Sequence, residues 1–241
     1  MAIAPRLSVV LACYNEEEVL EKSVPEIRDV LEDLQRPWEI IFVDDLSRDR
    51  TREIIARYVR EDPERLRAIL HERNCGRGAT VTDGFRAARG EITGYLDVDL
   101  EVHARYIPSL VKAIEKGADI ATVRRIYAFQ VRHVDRWLMS SGYSWLVRRL
   151  LRVGLHDTET GYKFFRRQAV LRLLDEIEDP GWFWDTEFMV RGLRRGFRIE
   201  EVVGAYLRRD DKTSTVSGVR DSIQYFGKVW RFRRALRRQA D

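Results

Sequence analysis

The chain has 241 residues, 44% of them hydrophobic, and carries 43 Lys and Arg against 39 Asp and Glu for a net charge of +4. That length can bury one substantial core, and the charge balance excludes neither a soluble enzyme nor a phosphate-binding surface. Cys13 and Cys75 lack Cys-x-x-Cys spacing and a companion His pair, which argues against a disulfide framework or a structural zinc and fits a reducing cytosol. Met1 to Arg6 does not read as a signal peptide, and no apolar run reaches the roughly 18 residues that span a bilayer, so a soluble or peripheral protein is expected.

In chain order, Leu7 to Ala12 is a branched apolar run too short for a helix and reads as a buried strand. Asn15 and three glutamates open a helix to about Leu34. Trp38 to Val43 is the second strand and ends at Asp44-Asp45. Ser47 to Thr51 offers caps for a helix through Arg60, and a third strand lies near Leu66 to Leu70. Gly76-Arg77-Gly78 leads a helix to about Ala88. The fourth strand ends at Asp97, a helix covers Ile107 to Lys116, and a fifth strand runs from Ile120 to Val123. Further on, Ile199 to Val203 reads as a strand, and Val134 to Val153 and Val219 to Arg238 as amphipathic helices. The alternation predicts a doubly wound α/β domain with no repeat or linker to divide it.

Four strand ends then carry polar clusters: Tyr14-Asn15-Glu16, Asp44-Asp45, Asn74 to Gly78, and Asp97-Val98-Asp99. Parallel strands put all four on one edge, where alternate carboxylates can hold a hard divalent cation such as Mg²⁺ or Mn²⁺ against phosphate oxygens. Singly, each has a plain structural reading as a cap or a turn. Together they point to a shared nucleotide site. Gly76-Arg77-Gly78 lacks the Lys-Ser/Thr of a P-loop and the third glycine of a dinucleotide fingerprint, which weakens ATPase and dehydrogenase readings.

Val9 to Glu17, Val43 to Thr51, Asn74 to Ala79, Ala88 to Glu91 leading to Asp97-Val98-Asp99-Leu100-Glu101, Asp157 to Phe165, and Trp184 to Glu187 follow in an order that resembles a family 2 glycosyltransferase of the GT-A fold. The likeness is to the branch of dolichyl-phosphate mannosyltransferases and bacterial polyprenyl-phosphate glycosyltransferases, and covers roughly residues 7 to 215. It implies a Rossmann-like domain with a mixed, mainly parallel sheet over 1–215, divided into a nucleotide-sugar half (1–123) and an acceptor half (124–215), then a basic amphipathic helix over 216–241. It implies inverting, metal-dependent transfer of a hexose to a polyprenyl or dolichyl phosphate, with GDP-mannose ahead of UDP-glucose or UDP-N-acetylglucosamine as donor.

By the same resemblance, Ala12, Tyr14 and Glu16 lie against base and ribose, Asp44 or Asp45 grips one of them, and Gly76, Arg77, Asp97 and Val98 complete the donor site. Asp97, Asp99 and Glu101 hold Mg²⁺ or Mn²⁺, with Asp99 the catalytic ligand; the branch often has Gln at the position of Glu101. Arg208 and Lys212 match only loosely the basic segment that closes over the donor phosphates. Arg124, Arg125, Arg132 and Lys163 are candidates for the acceptor phosphate, each with a solvated surface charge as the plain alternative. Asp157 is the second catalytic candidate, orienting the acceptor or taking a proton, or else a structural ion pair.

Many members of the branch carry C-terminal transmembrane helices. Here a peripheral contact on the cytoplasmic membrane face, through the Trp- and Arg-rich helices, or a separate membrane subunit is expected. The alternatives are a family 2 enzyme acting on a glycan or small-molecule hydroxyl, a nucleotidyltransferase, and more distantly a nucleic-acid-binding module. Four polar strand ends on one edge argue against the last, so no nucleic-acid partner is expected.

Overall fold

The structure is a computed structural model that describes residues 5–127, 147–207 and 218–238, with side chains described over 5–126, 147–207 and 225–238. Among the described residues seven strands form one sheet in the order β3-β2-β1-β4-β6-β5-β7. β1 (Leu7–Cys13), β2 (Trp38–Asp44), β3 (Leu66–Leu70) and β4 (Ile92–Leu96) pair in parallel, and β7 (Ile199–Tyr206) is parallel to β5 (Ile120–Tyr127). β6 (Tyr162–Arg166) lies between β4 and β5 and runs antiparallel to both.

The continuous apolar runs of β1 and β2 are explained by cover on both faces, every residue of β2 being buried. Side chains alternate between two cores. Val9, Leu11, Ile40 and Phe42 pack with α1 (Glu17–Asp33), α2 (Thr51–Glu61) and α4 (Ile107–Glu115); Val10, Ile41 and Val43 pack with α3 (Arg77–Ala87), α6 (Arg167–Leu174) and α7 (Trp184–Arg194). A third cluster joins the helical residues 147–151 (α5) and α7 to α8 (Gly218–Arg238) through Val147, Leu151, Phe183, Val229, Phe232 and Leu236.

Among the described residues the expected strands and helices are present, and the structure differs from the expectation in their extent and number. β5 continues past Val123 to Tyr127 because it pairs along its full length with β7, from Ile120↔Ile199 to Tyr127↔Tyr206. β6 falls where only a motif is read from the sequence, since Lys163 interrupts its apolar pattern. Of the helix expected over Val134 to Val153, residues 134–146 lie outside the described residues. Asn15 does not cap α1. It takes a left-handed φ of 56° and clasps the loop after β2, its N–H donating to Ser47 Oγ and its Oδ1 accepting from Arg48 N.

Candidate active site at the carboxyl edge of the sheet

The parallel strands end on one edge, and the reversed β6 begins there. At the β2 end, Asp44 is fully buried and its Oδ2 accepts from Ser47 N (3.1 Å) and Arg52 Nε (2.5 Å). Asp44 Oδ1 has no partner among the described residues. Asp45 is engaged on both oxygens: Oδ1 by Cys75 N (2.7 Å) and His71 Nδ1 (2.8 Å), Oδ2 by Gly76 N (2.9 Å). Its carboxylate therefore shapes the loop into α3, leaving Asp44 Oδ1 as the acid of this pair with acceptor capacity left. Gly76, at φ 92°, has no room for a Cβ against the Pro180 carbonyl. Tyr14 is exposed on the same edge, Ala12 is half-buried, and the Glu16 backbone N–H is tied to Thr51 Oγ1.

Arg77 is the centre of the next cluster. Its Nη2 donates to Asp97 Oδ1 (2.6 Å) and its Nη1 to Asp185 Oδ2 (2.5 Å), so the expected donor-site arginine braces carboxylates. Asp185 also accepts from the Tyr95 hydroxyl and from Lys163 Nζ (2.6 Å), and Lys163 donates to the Thr160 carbonyl. Burial pushes the Asp185 carboxyl up to about 7 against the pull of Arg77, and pushes the Lys163 ammonium down. Lys163 is wholly buried inside this network. The expectation that it meets an acceptor phosphate is corrected: it is an internal counter-ion. Val98 is 3% exposed and its side chain packs in the core.

Beyond Arg77 opens a pocket lined by Asp97, Asp99, Glu101, Arg125, Thr160, Gly161 and Tyr206. Asp99 Oδ1 accepts from Glu101 N (3.2 Å), and Glu101 Oε2 accepts from the Tyr206 hydroxyl. Gly161 lets the Asp97–Arg77 pair close over it, because a Cβ there would overlap Asp97 Oδ2 and Arg77 Nη2 and oblige them to shift. Behind the lining residue Arg125, Asp157 accepts from its Nε (2.7 Å) and Nη2 (3.0 Å), and Asp157 Oδ1 also accepts from Glu159 N and Thr160 N, both at 3.1 Å. Burial alone would raise Asp157, but the charge and hydrogen bonds of Arg125 outweigh it and hold the carboxyl below its ordinary value. Glu159 goes the other way. Burial, reinforced by the Asp157 charge, lifts it to about 7 despite Arg125 and a hydrogen bond with Tyr225.

The donor set of Asp97, Asp99 and Glu101, all oxygen and all anionic, fits a hard divalent cation. Arg77 on Asp97 and Tyr206 on Glu101 would have to yield part of their contacts to such an ion. Among the described residues, the trio whose ligand atoms already lie within 4.8 Å of one another is a different one, Asp45, His71 and Cys75, and the backbone amides of the next loop already engage that carboxylate.

Arg124 is half-buried at the end of β5. Arg132, Arg208 and Lys212 lie outside the described residues. Sequence reasoning missed His71, Tyr95, Glu159 and Tyr206, and gave Asp185 no role. Asp185 and Glu159 had a signal, being acids inside motifs already singled out; His71 and the two tyrosines had none.

A family model described as glycosyl transferase family 2 matches residues 8–174. The chain belongs to this family. Glycosyltransferase AglD of Haloferax volcanii is 38% identical over 205 residues, 83% of this chain and 33% of that protein. The dolichyl-phosphate beta-glucosyltransferase of Saccharomyces cerevisiae is 28% identical over 221 residues, 81% of this chain and 65% of that protein. An undecaprenyl-phosphate 4-deoxy-4-formamido-L-arabinose transferase of Pectobacterium atrosepticum is 31% identical over 168 residues, 70% of this chain and 51% of that protein. This family 2 chain thus spans from about a third to about two thirds of these relatives.

Among solved structures, glucosyl-3-phosphoglycerate synthase of Mycobacterium tuberculosis superposes with a TM-score of 0.69 at 21% identity, over 93% of this chain and 79% of that one. A mannosyltransferase of Pyrobaculum calidifontis in complex with GDP-Man and Mn²⁺ gives 0.60 at 18% identity, over 97% and 61%. At such identities the likeness establishes the GT-A fold. No helix among the described residues is long and apolar enough to cross a membrane.

Proposed function

We propose that this chain moves a hexose from a nucleotide sugar to a polyprenyl phosphate, with residues 1–123 binding the donor and 124–215 the acceptor. The observation that carries the reading is the pocket itself, where the carboxylates Asp97, Asp99 and Glu101 share one opening with Arg125, whose guanidinium is held by Asp157. The relatives named for dolichyl phosphate and undecaprenyl phosphate support a lipid phosphate as acceptor, and the Mn²⁺ bound in structural neighbours supports a divalent cation. GDP-mannose remains the donor of first choice, ahead of UDP-glucose.

Held by Asp99 with Asp97 and Glu101, Mg²⁺ or Mn²⁺ would offset the charge of the departing nucleoside diphosphate. The acceptor phosphate oxygen attacks the anomeric carbon as the bond to the diphosphate breaks, inverting that centre. A phosphomonoester has a second pKa of about 6 and is largely dianionic at neutral pH, so no proton need be removed. Asp157 suits this role, because its bond to Arg125 makes it a poor base and a firm brace. Arg125, with Arg124 beside it, draws the phosphate toward the pocket.

Membrane contact belongs to the same reading. α8 buries Val229, Phe232 and Leu236 against the domain but leaves Phe226 and Trp230 exposed near Arg231, Arg234, Arg237 and Arg238. That pairing of aromatic and basic side chains suits the headgroup region of an anionic bilayer on the cytoplasmic face.

A second reading, transfer to a hydroxyl, is favoured by Glu159, whose carboxyl near 7 suits a general base. One experiment tests both. The full chain is assayed with GDP-mannose, UDP-glucose and UDP-N-acetylglucosamine, with polyprenyl phosphate or polyprenol, and with Mn²⁺ or a chelator. Product with the phosphate alone, lost on chelation, supports the proposal; equal product from the polyprenol supports the second reading.

A further inference from the structure

Trp182 is a large aromatic left in solvent, 56% exposed, although the two residues that follow it, Phe183 and Trp184, are buried. It contributes little to the core, and its surroundings are built to hold it still. The Glu187 carboxylate accepts from Glu178 N (3.2 Å) and Asp179 N (3.0 Å). Asp179 in turn accepts from Gly181 N (2.8 Å) and pairs with Lys228 of α8 (2.6 Å). The Pro180 carbonyl accepts from Ala79 N in the first turn of α3. A loop fixed at three points thus presents one exposed ring.

The ring also has a defined orientation. The Arg77 guanidinium lies over it, 5.0 Å from its centre, and the same guanidinium bonds Asp97 at 2.6 Å. Through Arg77, Trp182 is therefore one residue removed from Asp97 of the pocket. With one face covered by Arg77, the exposed area belongs to the remainder of the ring.

We infer that Trp182 is a stacking platform for the hexose of the nucleotide sugar, an inference that rests on the donor reading above. An aromatic face carries partial negative charge, and the C–H bonds of a pyranose, polarised by their neighbouring oxygens, carry partial positive charge. An immobile ring gains that contact with little ordering cost. The hexose of a donor whose diphosphate sits at Asp97 and Asp99 lies within reach of such a surface. A nucleoside diphosphate without its sugar leaves the ring bare.

The test is calorimetric titration of the full chain with Mn²⁺, comparing UDP-glucose with UDP and GDP-mannose with GDP, for wild type, Trp182→Ala and Trp182→Phe. For whichever pair wild type binds, Trp182→Ala should weaken the nucleotide sugar about tenfold and the nucleoside diphosphate less than twofold, and Trp182→Phe should recover most of the loss. Equal weakening of both ligands, or of neither, overturns the assignment while leaving the donor reading in place. A lowered melting temperature in both variants would make the ring a structural cover for Arg77 and also overturn it. Wild type that binds none of the four ligands removes the donor reading and this inference together.

Discussion

Arg125 and Asp157 meet through two parallel hydrogen bonds, Nε to Oδ2 at 2.7 Å and Nη2 to Oδ1 at 3.0 Å. Such a fork fixes the guanidinium plane as well as its charge. Lysine preserves the charge and loses the plane. Arg125→Lys should therefore lower kcat/KM for polyprenyl phosphate by about tenfold or more while leaving the donor KM within twofold. Steady-state kinetics with each substrate varied in turn would check this, and a matched rise in both KM values would place Arg125 outside the acceptor side.

Asp99→Asn should abolish metal-dependent transfer without unfolding the chain, since Asp99 sits at an open strand end and not in a core. Losing an anionic ligand at the site of leaving-group charge should slow turnover by about a thousandfold. Turnover at saturating donor and Mn²⁺, read beside a melting curve, decides it. Activity within a few fold of wild type would remove Asp99 from the site.

Gly161→Ala should act through its neighbours. The added methyl overlaps Asp97 Oδ2 and Arg77 Nη2, so their ion pair must move. A displacement of about 1 Å at a reacting centre can cost on the order of a hundredfold in rate. Gly161→Ala should thus lose activity far out of proportion to any change in urea midpoint. Retained activity would show that the Asp97 position is unimportant.

Glu159 predicts a pH dependence with a definite sign. Its folded pKa of about 7 stands above the ordinary 4.5, so the folded state binds the extra proton between these values. Its contribution to stability is complete below about pH 4.5 and is lost as pH rises through 7. Glu159→Gln cannot titrate. Its stability relative to wild type should rise by about 2 kcal/mol between pH 4.5 and 8, allowing for partial exposure. Urea unfolding at several pH values measures the difference, and a flat difference would show that Glu159 is solvated.

For membrane contact, Phe226→Ser with Trp230→Ser should cut flotation with anionic vesicles while leaving the melting temperature unchanged, because both rings are exposed. Recovery should also fall with salt as screening shortens the reach of the arginines. Unchanged flotation of the double variant would take α8 out of membrane contact.

The first four strands and the edge they share were legible because short branched apolar runs ended each time in acids or glycines. β6 was not, because Lys163 looks like a surface residue until Asp185, 22 residues on, is seen to neutralise it. Arg77 was legible as part of a motif but not in its role, since that role depends on Asp185, 108 residues away. Asn15 read as a helix cap because caps are local. Its actual partners, Ser47 and Arg48, belong to the next strand's loop. Charge pairing across long separations leaves no periodic trace in a sequence.

The reversed β6 ties Tyr95 to Lys163 and Leu96 to Tyr162 on one side, and Thr122 to Lys163 on the other. The loop that bears Asp97, Asp99 and Glu101 follows β4 and Arg125 stands on β5, so two sides of the pocket are joined through one shared strand. Separating β4 from β5 would break the backbone hydrogen bonds that β6 makes to both. Under the proposed function, the donor and acceptor sides would therefore keep one spacing, and substrates would enter and leave at the open carboxyl edge of the sheet.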